Sequence, residues 1–147
     1  RRLTKMQDAK ITYRGSVYPR DCDHMGHMNV AAYVEKFDNA TWNLFTDHGL
    51  SRVYLKTEGI GLASVNQNIT YKRELLPGDV LTVRSKLLEL SGKKVRFRSA
   101  MYNGDTGELV AEIEQIAVCL DIKRRKARDF PQNILEKARS YLIGTET

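Results

Sequence analysis

A single amphipathic stretch limits most strongly what this chain can fold into. From Asn29 onward, Val30, Tyr33, Val34, Phe37, Thr41, Leu44, Phe45 and His48 recur at helical spacing, while Glu35, Lys36, Asp38, Asn39, Asn43 and Asp47 fall largely on the opposite face. The spacing predicts a helix of about five turns. Asn29 suits its opening as a side-chain cap and Gly49 its end. Around it the pattern is that of strands. Residues 11–18 alternate through Ile11, Tyr13 and Val17, and residues 60–71 through Ala63, Val65, Gln67, Ile69 and Tyr71. Further strand patterns follow over 80–90, 95–102 and 108–121, divided by L-L-P-G-D, S-G-K-K and N-G-D-T-G turns. A lone long helix beside an antiparallel meander can bury its apolar stripe only by lying across one sheet face. The expected class is α+β, with about five strands around the helix. Pro131 opens a short terminal helix whose Ile134, Leu135, Ala138, Tyr141 and Leu142 would dock on the body.

The 147 residues contain no internal repeat or linker, so residues 1–147 are expected to form a single domain. With 41% hydrophobic and 29% charged residues the chain has no need to be disordered. It lacks an apolar run of the roughly 18 residues a membrane span requires, and Arg1-Arg2-Leu3-Thr4-Lys5 lacks the apolar core of a secretion signal. A cytoplasmic protein without membrane association is expected. Cys22 and Cys119, the two cysteines, lie in no paired metal spacing, which argues against a zinc site and a disulfide framework alike. The net charge of +6 favours anionic partners, among which coenzyme A, nucleic acid and acidic lipid all qualify. The basic residues are scattered among acidic ones, and a solubilising surface explains them equally well.

Between the first strand and the helix lies P-R-D-C-D-H-M-G-H-M-N, followed by V-A-A-Y. This segment resembles the 4-hydroxybenzoyl-CoA thioesterase family of hotdog enzymes, whose members carry a D-x-D-x-x-G-like loop and a tyrosine one turn into the helix. The matching positions here are Asp21, Asp23, Gly26 and Tyr33. The resemblance extends over nearly the whole chain, because the strand order and the Pro77-Gly78-Asp79 turn also match. It implies a hotdog fold and hydrolysis of a small acyl-CoA, with coenzyme A as part of the substrate and no cofactor or metal. It also implies that Asp23 attacks the thioester carbonyl or acts as base for water, either of which needs an ionised carboxylate beside the carbonyl carbon. The Val30 backbone N–H would polarise that carbonyl, as a first-turn amide at the positive end of a helix can. Gly26 would let substrate approach the loop closely, or serve only as a turn glycine.

Beside Asp23, His27 could orient that carboxylate or the catalytic water, Asn29 could touch substrate, and the resemblance implies a substrate contact at Tyr33. His27 could instead simply pack in the loop, and capping alone already explains Asn29. A branch of the family has histidine at the position of Val30, whereas here histidines stand at 24 and 27, so a histidine-assisted mechanism is not expected. Relatives bind nucleotide phosphates near the turn between the third and fourth strands, which here offers Lys93, Lys94 and, beyond it, Arg96. Lys123–Lys126 is a second basic candidate. Hotdog enzymes commonly pair, so a homodimer or homotetramer is implied, with a partner chain presenting Ser64, Asn66 or Gln67 towards Asp23. Those polar residues could equally mark an exposed edge.

Competing readings remain open in the sequence. Asp23 could merely hydrogen-bond its own loop, and Cys22 could be the nucleophile. A non-catalytic acyl-CoA binder would use the same pocket. A nucleic-acid-binding domain would use the basic surface, although no nucleic-acid motif is present and no nucleic acid is expected as partner. A hotdog dehydratase would need a helix histidine, and only His48 near the far end offers one. The stretches H-M-N-V-A-A-Y-V-E-K-F-D-N-A-T-W and I-T-Y-K-R-E-L also resemble the thioesterase-like portion linked to carnitine dehydrogenases. That likeness implies a short cationic acyl group such as betainyl, on which Trp42 and Tyr33 could stack.

Overall fold

The computed structural model describes residues 5–145, apart from the side chains of residue 141 and residues 143–145. The expected docking of Tyr141 therefore lies outside the described residues. Strand β1 (Lys10–Ser16) leads through a loop into helix α1 (Val30–Asp47). Then come α2 (Arg52–Glu58), β2 (Ile60–Tyr71), β3 (Val80–Ser91), β4 (Lys94–Asn103), β5 (Leu109–Asp121), the two-residue β6 (Lys126–Ala127) and α3 (Gln132–Thr145). All pairings are antiparallel, in the order β1-β3-β4-β5-β2, with β6 added to β5. The curled sheet holds α1 against its inner face, the hotdog arrangement.

Both ends of α1 are fixed by local chemistry. The Asn29 side-chain oxygen accepts from the Ala32 N–H at 3.0 Å. At the other end Gly49 takes φ +87, and the N–H groups of Leu50 and Gly49 donate back to Phe45 and Thr46. This reciprocal pair needs a left-handed residue that glycine adopts without a Cβ penalty.

The core is split in two. Tyr33, Phe37 and Ala40 pack with Val17, Leu75, Leu81, Val83 and Met101, while Leu44 and Phe45 pack with Leu87, Leu90, Val95, Phe97 and α3 residues Ile134 and Ala138. Complete burial of a side chain such as Phe37 or Phe97 contributes about 1.5–3 kcal/mol. Polar side chains mark the seam. Thr12, Ser85 and Ser99 form a hydroxyl chain with links of 2.8 and 2.6 Å. Gln67 donates to Gln115 at 2.8 Å, and Gln115 donates to Thr41 at 3.4 Å. These bonds offset the desolvation that burying such groups costs.

Several features depart from the sequence pattern. Helix α2 was not anticipated, because it spans two turns and buries only Leu55; Ser51 caps it and Gly59 ends it. Strand β6 falls within the basic run. Lys36, assigned by periodicity to the polar face of α1, is buried, because a carboxylate from the preceding loop meets it there.

Candidate active site

The loop from Tyr18 to Asn29 is a small, tightly bonded structure. A short 3-10 turn over Pro19–Asp21 ends at Cys22, which forms an isolated antiparallel bridge with Met28. Inside that bridge the chain reverses: the Asp23 carbonyl accepts from the Gly26 N–H at 3.0 Å, and Gly26 takes φ +86. One carboxylate oxygen of Asp23 accepts from the Met25 N–H at 2.9 Å. The other has no partner among the described residues, and Asp23 is exposed. Asp23 thus both shapes its own turn and offers an open oxygen, so self-bonding and chemistry are compatible.

The start of α1 lies beside this turn. The Asn29 N–H donates to the Asp21 carbonyl at 3.0 Å. Among the described residues none accepts from the Val30 N–H, as expected for the first turn of a helix. The Val30 side chain is 62% exposed, although the helical pattern placed it on the buried face. It borders a cleft of about 300 Å³ whose walls include His27, Tyr33, Tyr71, Arg73 and Glu74.

Tyr33 forms the floor. Its hydroxyl donates to the Arg73 carbonyl at 3.1 Å, and its ring meets Tyr71 edge-on, with centroids 5.1 Å apart. Burial, the largest influence, raises its phenol pKa, so it stays protonated. His27 is half-buried, its Nδ1 lying 3.3 Å from the Met28 carbonyl and its Nε2 3.7 Å from Glu74. Cys22 has a raised pKa, through partial burial first and then the negative charges of Asp21 and Asp23. A thiol held protonated is a poor nucleophile, which weighs against the cysteine alternative. Among the described residues no group of three histidine, cysteine or acidic side chains is arranged to hold a metal, and no helix is long and apolar enough to cross a membrane.

Of the candidates, His27, Val30 and Tyr33 line this cleft, Asn29 caps the helix beside it, Asp23 and Gly26 lie on the adjoining turn outside the cleft's lining, and the others lie elsewhere. Gln67 points inward to Gln115, whereas Asn66 lines a shallow depression on the outer sheet face. Ser64 pairs with Ala117, and a bulge separates it from Asn66. Seven residues of strand, about 23 Å, separate Ser64 from Tyr71. Lys93 and Lys94 sit at the end of the sheet where Leu90 and Val95 pack with the C-terminal half of α1, opposite to Asp23. Arg96 is engaged by Glu89 and Glu114, at 3.6 and 3.3 Å, and Lys94 by Glu89 at 3.7 Å. Lys93 meets no carboxylate among the described residues.

Tyr71, Arg73 and Glu74 also line the cleft and are not among the residues expected there. Their signal was the strand end I-T-Y-K-R-E-L, whose last residues outrun the β2 pairing and turn towards the loop. Trp42 lies two and a half turns beyond Tyr33 and packs edge-on against Phe45 instead.

Comparison with known proteins agrees with the fold. The sequence profile described as "Thioesterase-like superfamily" matches residues 17–138. The long-chain acyl-CoA thioesterase FadM of Escherichia coli is 31% identical over 111 residues, covering 76% of this chain and 83% of that protein. The betainyl-CoA thioesterase of Pseudomonas aeruginosa is 25% identical over 132 residues, covering 90% and 83%. Among solved structures, a Staphylococcus aureus protein in complex with CoA superposes with a TM-score of 0.85 at 23% identity, covering 95% of this chain and 88% of that one. A probable thioesterase from Escherichia coli does so at 0.77 with 27% identity, covering 90% and 99%.

Proposed function

Because the chain belongs to the thioesterase-like superfamily, we propose that it hydrolyses the thioester of a small acyl-CoA to a free acid and coenzyme A in the cytoplasm, with Asp23 as its catalytic carboxylate. The observation that carries the assignment is the open carboxylate oxygen of Asp23 in the loop that feeds directly into the unpaired N–H of Val30. A thioester carbonyl oxygen bonded to that N–H lies at the positive end of α1, where developing negative charge is stabilised. Asp23 then acts by one of two routes. As nucleophile, its oxygen bonds to the acyl carbon while the C–S bond breaks, and water cleaves the resulting mixed anhydride. As base, it takes a proton from water, the hydroxide adds to the carbonyl, and the C–S bond breaks. In both routes the coenzyme A thiolate leaves and takes up a proton, and no cofactor is required.

A second copy completes this site. Strand β2 forms a free edge of the sheet, with residues 64–68 exposed on both faces. Antiparallel pairing of two such edges would bring the inward-facing side of β2, with Gln67, of one copy towards Asp23 of the other, while Asn66, on the outer face, would stay outside the site and Ser64 would sit at its margin. It would also carry Lys93 and Lys94 towards the outer part of the substrate, which they cannot reach within their own chain. Lys93, unengaged by carboxylates, is the better phosphate contact, and Arg96 the weaker one. A homodimer, or a homotetramer built from two of them, follows. The modest cleft walled by Tyr33 and Tyr71 suits a compact acyl group, and the betainyl-CoA relative favours a cationic one.

Free-thiol release from aromatic, aliphatic and cationic acyl-CoAs, compared between wild type and Asp23→Asn, tests the assignment. Selective loss in the variant supports it and identifies the acyl group. Equal turnover by both proteins refutes it.

A further inference from the structure

The most unexpected ion pair in the molecule joins Lys36 to Asp21. Periodicity assigns Lys36 to solvent, yet its side chain is 7% exposed, that of Asp21 is 9% exposed, and Nζ lies 3.5 Å from the carboxylate. A buried pair of this kind is weak evidence for stability, since well-packed apolar residues hold such a position at least as well. Its geometry suggests a different role. The same carboxylate oxygen of Asp21 accepts from the Tyr18 N–H at 2.9 Å, and the Asp21 carbonyl accepts from the Asn29 N–H at 3.0 Å. Asp21 therefore joins the entry of the loop to its exit, where Asn29 caps α1.

Lys36 fastens that junction to the second turn of the helix. Side chains on a helix lean towards its N-terminus, so the lysine stem reaches back to meet the loop. By contrast, the bonds made by Asp23 all run to Met25, Gly26 and His27, within its own turn. None of them ties that turn to α1. Besides the Cys22–Met28 bridge and the short backbone run from His27 to Val30, the link between the Asp23 turn and the body of α1 is therefore the one made through Asp21.

We infer that Asp21 and Lys36 form a positioning pair, which holds the Asp23 turn against the start of α1 at the spacing that thioester attack requires. The inference rests on the catalytic reading of Asp23. Positioning errors of about 1 Å cost on the order of a hundredfold in rate, so the pair's effect belongs in kcat.

The test compares wild type, Asp23→Asn, Lys36→Met and the double variant Asp21→Asn/Lys36→Met. Each is measured for kcat, KM, melting temperature and amide hydrogen exchange over residues 21–29. Lys36→Met leaves a carboxylate buried without its cation and is expected to melt lower, or to fail to fold. The double variant removes both charges and keeps an acceptor for Tyr18, so its melting temperature should return close to wild type. If the pair positions Asp23, kcat of the double variant stays roughly tenfold to a hundredfold down with KM little changed, and residues 21–29 exchange faster. A double variant with wild-type kcat, alongside an inactive Asp23→Asn, overturns this inference alone. An Asp23→Asn protein with wild-type kcat overturns the catalytic reading and this inference together.

Discussion

Replacing Asn29 with alanine removes one hydrogen bond from the junction on which the site is built and spares its neighbours. The Asn29 N–H still donates to Asp21, since that bond is made by the backbone. What disappears is the 3.0 Å bond from the Ala32 N–H to the side-chain oxygen. Loss of a helix cap typically costs about 0.5–2 kcal/mol. Ala32 is buried, so water replaces the lost acceptor poorly and the upper half of that range, about 1–2 kcal/mol, is expected. For a chain of this length that corresponds to a fall in melting temperature of very roughly 2–8 °C. Urea unfolding at matched protein concentration reads the difference, matched because a self-associating protein gains stability with concentration. Asn29→Asp supplies an equally good cap and should unfold with wild type. If Asn29 also touches substrate, the aspartate variant loses kcat/KM while keeping its stability. An alanine variant as stable as wild type would refute the capping argument.

Three more outcomes follow from the same geometry. Cys22→Ser should retain hydrolysis within about threefold, whereas a loss approaching the hundredfold or more expected on removing a nucleophile would revive the thiol mechanism. Gly26→Ala meets no steric obstacle but must adopt φ +86; urea unfolding should record about 1–2 kcal/mol of lost stability, with hydrolysis reduced as the Asp23 turn distorts. His48 has a pKa lowered chiefly by burial, with Lys137 and Lys10 adding to that effect against Asp47. The folded state therefore binds its proton less tightly than the unfolded chain. The stabilisation is present above the unfolded value of about 6.5 and is lost as pH falls below it towards the folded pKa. Melting temperatures from pH 8 to 5 should decline less steeply for His48→Gln than for wild type.

Much of this architecture can be read from local patterns. The change from alternation over residues 11–18 to helical spacing after Asn29 locates α1, and Asn29 and Gly49 mark its ends because capping is a local event. The loop composition P-R-D-C-D-H-M-G-H-M-N marks the position of the candidate site. Lys36 escaped because periodicity registers only the face a residue occupies on its helix, and cannot register a carboxylate arriving from a neighbouring loop. Tyr71 and Glu74 escaped for a related reason: Tyr71 reaches the cleft from the last paired position of β2 and Glu74 from the chain just beyond it, an arrangement set by long-range pairing. Asn66 and Gln67 looked alike in the sequence, but strand alternation sends them to opposite faces. Helix α2 is too short for its period to stand out.

The central claim, that the Asp23 carboxylate performs the chemistry, is tested most directly by kcat for Asp23→Asn at saturating acyl-CoA. Circular dichroism and retained binding of coenzyme A would establish that the variant is folded. A fall of about a hundredfold or more is predicted. A folded variant turning over within about threefold of wild type would contradict the account.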